Sequence, residues 1–128
     1  MVKLNRDELA ETVGGTLDSN ESLRRAMAAT MPEHGMVVVT SGSRGATVLF
    51  EGRAWRVMPP TVDARSAVGS GDAFAAGMTV GLLRGQEPPQ AAALGAACGA
   101  ANAMTDLAGH LSAKDVNELL PQVRVEPL

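Results

Sequence analysis

The run MVVVTS, Met36 to Ser41, constrains this chain more than any other stretch. A strand with one face in water alternates apolar and polar residues, because successive side chains point to opposite sides. Three consecutive valines leave no solvent face, so the run reads as a strand buried on both sides, in a sheet covered by helices. The two segments that follow, Ala46 to Phe50 and Arg53 to Met58, flank Glu51-Gly52, a two-residue hairpin signal, and Pro59-Pro60 ends the second of them. This part of the sheet is therefore expected to turn antiparallel.

Helices to cover such a sheet are present. Only a short apolar stub, Met1 to Leu4, precedes Asn5, which opens a helix through about Val13, closed by Gly14 and Gly15. A second helix, capped by Asp18 or Ser19, carries Leu23, Met27 and Met31 on one face and ends at Pro32 to Gly35. After a glycine-rich turn, a third helix runs to about Leu83, and a small-residue helix follows from about Pro89 to Thr105. Gly77 and Gly81, like Gly95 and Gly99, stand four residues apart, which lets another backbone approach one side of each helix. Ser112 with Asp115 three residues on resembles a capping box and starts a last helix to about Leu120. Helix and strand alternate, which is an α/β layer pattern.

Composition excludes several classes of function. With 128 residues the chain is the size of one ordinary domain, able to bury roughly two-thirds of its unfolded surface. Aromatic residues at 2% are too few for base stacking, and a net charge of −3 lacks the clustered cations that neutralise nucleic-acid phosphates. A single Cys98 permits no internal disulfide and reads as a packed thiol beside Ala97 and Gly99. The longest nearly apolar stretch, Ala91 to Met104, is interrupted by Asn102 and falls short of the ~20 residues that span a bilayer. The expectation is a soluble, cytoplasmic protein without nucleic-acid or membrane partners.

The stretch AVGSGDAFAAG, Ala67 to Gly77, places Gly69, Ser70 and Gly71 in a turn that enters a helix at Asp72. A helix start carries about half a positive charge and up to four unpaired N–H donors, and glycine lets an anion approach the backbone. The plainer reading is a tight turn with Asp72 stabilising the helix dipole by ~0.3–1 kcal/mol. No Walker-type loop and no G-x-G-x-x-G fingerprint is present. SGSRG, Ser41 to Gly45, does not satisfy the G-x-S-x-G nucleophile elbow, because Ser41 stands where its first glycine belongs. His34 and His110, the only histidines, read as loop residues.

Three stretches together are more informative. KLNRDE (Lys3 to Glu8), VVVTSGSRGA (Val37 to Ala46) and AVGSGDAFAAG, in this order and approximate spacing, resemble the C-terminal half of the PfkB, or ribokinase-like, sugar kinases. VGSGD, with ANAM followed by GH between Ala101 and His110, is most similar to the branch of tagatose-6-phosphate kinase and 1-phosphofructokinase. The resemblance implies a three-layer α/β fold, its mainly parallel sheet covered by helices and carrying an antiparallel hairpin. Residues 1–128 would form its C-terminal, nucleotide-binding part, with the N-terminal sugar-binding part and lid absent.

It also implies roles. Gly69, Ser70 and Gly71 would form an anion hole for the phosphoryl group, and Asp72 would be the base for the sugar hydroxyl. Thr40, Gly42 and Gly45 would lie beside the ATP phosphates, the alternative being an ordinary strand-to-hairpin turn. Asn5 and Glu8 match the family's N-x-x-E motif, associated with Mg²⁺ and phosphate, yet Asn at the N-cap and Glu three residues on also make a good helix start. Both roles are compatible. Asn102 falls near the helices that border the adenine pocket, or it bonds a neighbouring loop. The chain departs from the family in Leu4, where Lys-Pro-Asn is common, and in Ala67, where a small hydroxyl residue is frequent. Two readings result: the ATP-binding half of a kinase for a sugar or ketohexose phosphate, with homo-oligomers among its expected states, or a non-catalytic nucleotide-binding fragment that self-associates through an open sheet edge.

Overall fold

The computed structural model describes residues 1–31 and 33–128. Its elements are β1 (Val2–Asn5), α1 (Arg6–Val13), α2 (Asn20–Ala29), β2 (Met36–Thr40), β3 (Ala46–Phe50), β4 (Arg53–Met58), α3 (Ser70–Leu83), α4 (Pro88–Ala103), α5 (Ala113–Leu119) and β5 (Arg124–Pro127). Short 3-10 turns occupy Gly42–Arg44 and Leu120–Gln122.

The triple-valine strand does what its composition requires. Met36, Val37, Val38 and Val39 are all buried, and they divide by parity between two cores. Met36 and Val38 join Val48, Val57, Phe74 and Met78 under α3 and α4. Val37 and Val39 join Leu9, Leu23, Met27 and Leu49 under α1 and α2. Each fully buried side chain of this size stabilises the fold by about 1.5–3 kcal/mol, so a polar residue anywhere in Val37–Val39 would damage one core or the other. A third cluster joins α4 to α5 through Ala97, Ala101, Val116 and Leu119.

The strand order is β1-β2-β3-β4-β5. The sheet is mixed: β1 pairs with β2 in parallel, whereas β2–β3, β3–β4 and β4–β5 are antiparallel. A mainly parallel arrangement is thus not found within these residues, since two short connections and the returning C-terminal strand reverse the chain direction. The Glu51-Gly52 hairpin has φ of 49° and 75°, the primed geometry that suits the twist of its strands. Two strands go beyond the sequence reading. The Met1–Leu4 stub is largely β1, and β5, exposed along its whole length, adds to the outer side of β4. Among the described residues no strand pairs with the outer edge of β1.

The helix boundaries follow their caps. Ser19, not Asp18, is the N-cap of α2, its side chain accepting from the Ser22 N–H. Pro32, expected to help end that helix, lies outside the described residues. At α5 the Ser112 side chain accepts from the Asp115 N–H. The glycine pairs bring α3 and α4 into backbone contact. A Cβ on Gly95 would stand 2.7 Å from the Phe74 carbonyl oxygen, and one on Gly77 would stand 2.6 Å from the Cys98 sulfur. Neither distance is tolerable, so only glycine permits this packing. Burial pushes the Cys98 thiol above its ordinary value, in keeping with a packed rather than reactive thiol.

Candidate functional site

The C-terminal ends of β1 and β2 lie side by side, with Asn5 opposite Thr40 in the parallel register. The Thr40 hydroxyl reaches the Leu4 carbonyl at 3.5 Å. Ligands of α/β sheets bind outside the carboxyl ends of parallel strands, because loops and helix starts converge there. The α3 N-terminus points into the same region. Thr40, Gly42 and Gly45 from the β2–β3 turn and Ser70 and Gly71 from the α3 start line one cavity of about 490 Å³. Pro59, Pro60, Val62, Phe74 and Ala100 give it an apolar wall. A second, more open hollow of about 610 Å³ between α2 and β3 contains none of the candidate site residues.

The glycine turn is built to leave donors free. Gly69, at φ +83°, is the N-cap of α3 and supplies no side-chain cap. A Cβ on it would stand 2.8 Å from the Ala108 Cβ, so this glycine is required by both dihedral and packing. The Ser70 N–H bonds the Ala67 carbonyl at 3.1 Å and is not available to a ligand, contrary to the expectation that all three backbone amides face one. Among the described residues the N–H groups of Gly69, Gly71 and Asp72 have no acceptor. Gly71 has an ordinary helical backbone, and a Cβ there would meet only the Lys3 ammonium, at 3.7 Å. Glycine at this position is required neither by conformation nor by packing. The cavity in front of it supplies a reason, since a side chain would hold an anion away from the amides.

Lys3 is the residue that sequence reasoning missed. It is half-buried on β1, and its charge stands next to the glycine turn. Its signal in the sequence is a cation between the apolar Val2 and Leu4.

At the other acidic helix start the donors of the N-cap and of the third helical residue are occupied by side chains. The Asn5 side chain accepts from the Glu8 N–H at 2.8 Å, and the Glu8 carboxylate accepts from the Asn5 N–H at 2.7 Å, a complete capping box. One carboxylate oxygen of Glu8 remains uncommitted. No group of three or more His, Cys, Asp or Glu that could hold a metal occurs among the described residues. A Mg²⁺ ion, however, keeps several waters and is commonly held by one or two carboxylates with substrate phosphates, and exposed Glu8 fits that pattern.

Asn102, on α4, is 1% exposed and belongs to the wall behind the turn. Its amide donates to the Val68 carbonyl at 2.9 Å and to the Ser70 hydroxyl at 3.1 Å, and its oxygen accepts from the Gly109 N–H at 2.6 Å. Both amide hydrogens are occupied, one by the loop at Val68 and one by Ser70 at the start of α3. Asn102 is thus bonded to the loops on both sides of it. Asp72 is exposed in the first turn of α3. His34 and His110 are exposed outside the helices and strands, as expected.

The model of the pfkB family carbohydrate kinases matches residues 1–114. The chain belongs to this family. Tagatose-6-phosphate kinase of Staphylococcus epidermidis is 27% identical over 128 residues, covering 98% of the chain and 41% of that protein. The ATP-dependent 6-phosphofructokinase isozyme 2 of Mycobacterium tuberculosis is 34% identical over 130 residues, covering 99% and 38%. Among solved structures, phosphofructokinase-2 from Escherichia coli in complex with potassium superposes with a TM-score of 0.85 at 27% identity, over 94% of this chain and 40% of that one. The chain therefore spans about two-fifths of the length of these relatives. No helix among the described residues is long and apolar enough to cross a membrane.

Proposed function

We propose that this chain carries the nucleotide side of a kinase that transfers the γ-phosphoryl group of ATP to a hydroxyl of a ketohexose phosphate such as tagatose 6-phosphate or fructose 1-phosphate. The observation that carries the reading is the uncapped α3 start, whose free Gly69, Gly71 and Asp72 amides adjoin the cavity lined by Thr40, Gly42 and Gly45. Those amides, with the Lys3 ammonium beside them, stabilise negative charge spread over the phosphoryl oxygens. In the transfer the sugar oxygen bonds to the γ-phosphorus, the bond to the bridging oxygen of ADP breaks, and the hydroxyl proton passes to the Asp72 carboxylate. Mg²⁺, held through Glu8 and Asn5, would neutralise phosphate charge. The apolar wall from Pro59 to Ala100 suits the flat face of a base.

A second reading is favoured by one feature, the unpaired outer edge of β1. An open edge recruits other strands, so the chain alone is expected to self-associate as a non-catalytic nucleotide-binding unit. A coupled ADP-release assay on the native protein, with its mass measured, separates the two. A species larger than 128 residues that releases ADP with a ketohexose phosphate supports the kinase reading. A 128-residue species that scatters as an oligomer and turns over nothing supports the second.

A further inference from the structure

We propose that Asn102 is a positioning residue that aims the Ser70 hydroxyl into the cavity as a side-chain anion donor, taking the place of the Ser70 backbone amide. The proposal rests on reading the glycine turn as a phosphate site.

The amide orientation of Asn102 is fixed by its neighbours. A carbonyl can only accept and a backbone N–H can only donate, so the Asn102 nitrogen must face the Val68 carbonyl and its oxygen must face the Gly109 N–H. The same nitrogen lies 3.1 Å from the Ser70 oxygen, which must therefore accept. A hydroxyl has one hydrogen and two acceptor positions. With the Asn102 side engaged in accepting, the Ser70 O–H is directed elsewhere, and among the described residues no acceptor takes it. Ser70 lines the cavity beside Gly71. Its backbone N–H is already bonded to Ala67, so the hydroxyl is the only donor Ser70 has left for a ligand.

The arrangement also explains a buried polar group in an alanine-rich helix. Asn102 ties the turn before α3 to the loop after α4 by three bonds, and Ala108 of that loop packs against Gly69. A residue present only to fill space there would be another alanine, like its neighbours Ala101 and Ala103. Desolvating the amide is tolerated because each of its polar atoms is bonded.

The test measures ATP and adenosine affinities of the full chain by equilibrium dialysis, together with thermal stability. Ser70→Ala removes the hydroxyl and leaves the Val68 and Gly109 bonds intact. Asn102→Asp puts an acceptor where the donor was, so the Ser70 O–H turns back to the carboxylate and away from the cavity. Both variants are expected to weaken ATP by on the order of tenfold or more, as for a lost hydrogen bond to a charged group, with adenosine unaffected. The double variant should bind ATP no more weakly than Ser70→Ala alone, because Asn102 acts through Ser70. Should Asn102→Asp fail to fold, Ser70→Ala decides alone. Parent-like ATP affinity in Ser70→Ala, equal losses of ATP and adenosine, or additive losses in the double variant would each overturn the proposal. A parent chain with no preference for ATP over adenosine overturns the phosphate reading beneath it, an outcome visible before any variant is made.

Discussion

Two helices of this chain begin with an acidic residue at the same offset and use it in opposite ways. In α1 the N-cap is Asn5 and the third helical residue is Glu8; the two close on each other and satisfy both of their backbone amides. In α3 the N-cap is Gly69 and the third helical residue is Asp72; glycine has no side chain to offer, the shorter acid makes no bond back to the cap, and the amides stay free. A capping box removes an anion site by filling it from within. The α3 start forgoes that stabilisation, on the order of a few tenths of a kcal/mol for glycine in place of a good cap, and leaves donors unpaired within the chain. One helix start is closed by its own side chains; the other is the one proposed above to meet a ligand.

Substitutions at the two starts should therefore fail in different currencies. The largest effect is expected at Asp72. Under the proposed function, Asp72→Ala should lower kcat of the native protein by ~10²–10⁴ with ATP affinity nearly unchanged, measured by steady-state ADP release. Wild-type turnover in that variant would remove Asp72 from the mechanism and erase the contrast.

Next comes Gly71, whose Cβ-sized space is open apart from Lys3. Alanine there should raise thermal stability by up to about 1 kcal/mol through helix propensity, while weakening ATP by roughly tenfold. Calorimetry and nucleotide titration on one sample would show both signs together. A variant that gains stability and keeps its ATP affinity would mean that nothing approaches the turn closely.

At α1 the order reverses. Asn5→Ala should cost about 1 kcal/mol of stability, read from urea unfolding. Glu8→Gln keeps the capping geometry and removes the charge, so the melting temperature should hold while, under the proposed function, the native protein needs more Mg²⁺ for half-maximal rate. An unchanged Mg²⁺ dependence would leave α1 with the cap alone and sharpen the division between the two starts.

The smallest effect concerns the helix pair behind the site. Because burial raises the Cys98 pKa, the unfolded chain releases this proton first as pH increases. Its contribution is whole below the ordinary thiol value and declines above it. Alkylation by iodoacetamide at pH 8 should be slower in the folded chain than in urea.

Much of this was legible in the sequence for local reasons. The valine run, the Glu51-Gly52 hairpin and the two glycine pairs each express a constraint carried by adjacent or four-apart residues, and each stands where it was expected. The remainder depends on partners far along the chain. β5 is exposed throughout and contains Pro127, so it lacks strand patterning and exists because β4 offers an edge. Lys3 comes near Gly71 only after β1 has paired with β2 and α3 has crossed the sheet. The lost amide at Ser70 and the three hydrogen bonds of Asn102 are equally tertiary, since no spacing rule links residue 102 with 68, 70 and 109.

The close approach of α3 and α4 has a mechanical consequence. With the Phe74 carbonyl against Gly95 and the Cys98 sulfur against Gly77, the helices have no room to slide or tilt past one another, so under thermal agitation they behave as one stiff beam. The glycine turn is mounted on one end of that beam, and Asn102, on its second strut, grips the mounting. Play across the cavity is then expected on the opposite side, at the exposed Gly42–Arg44 turn, which hangs on the ends of β2 and β3.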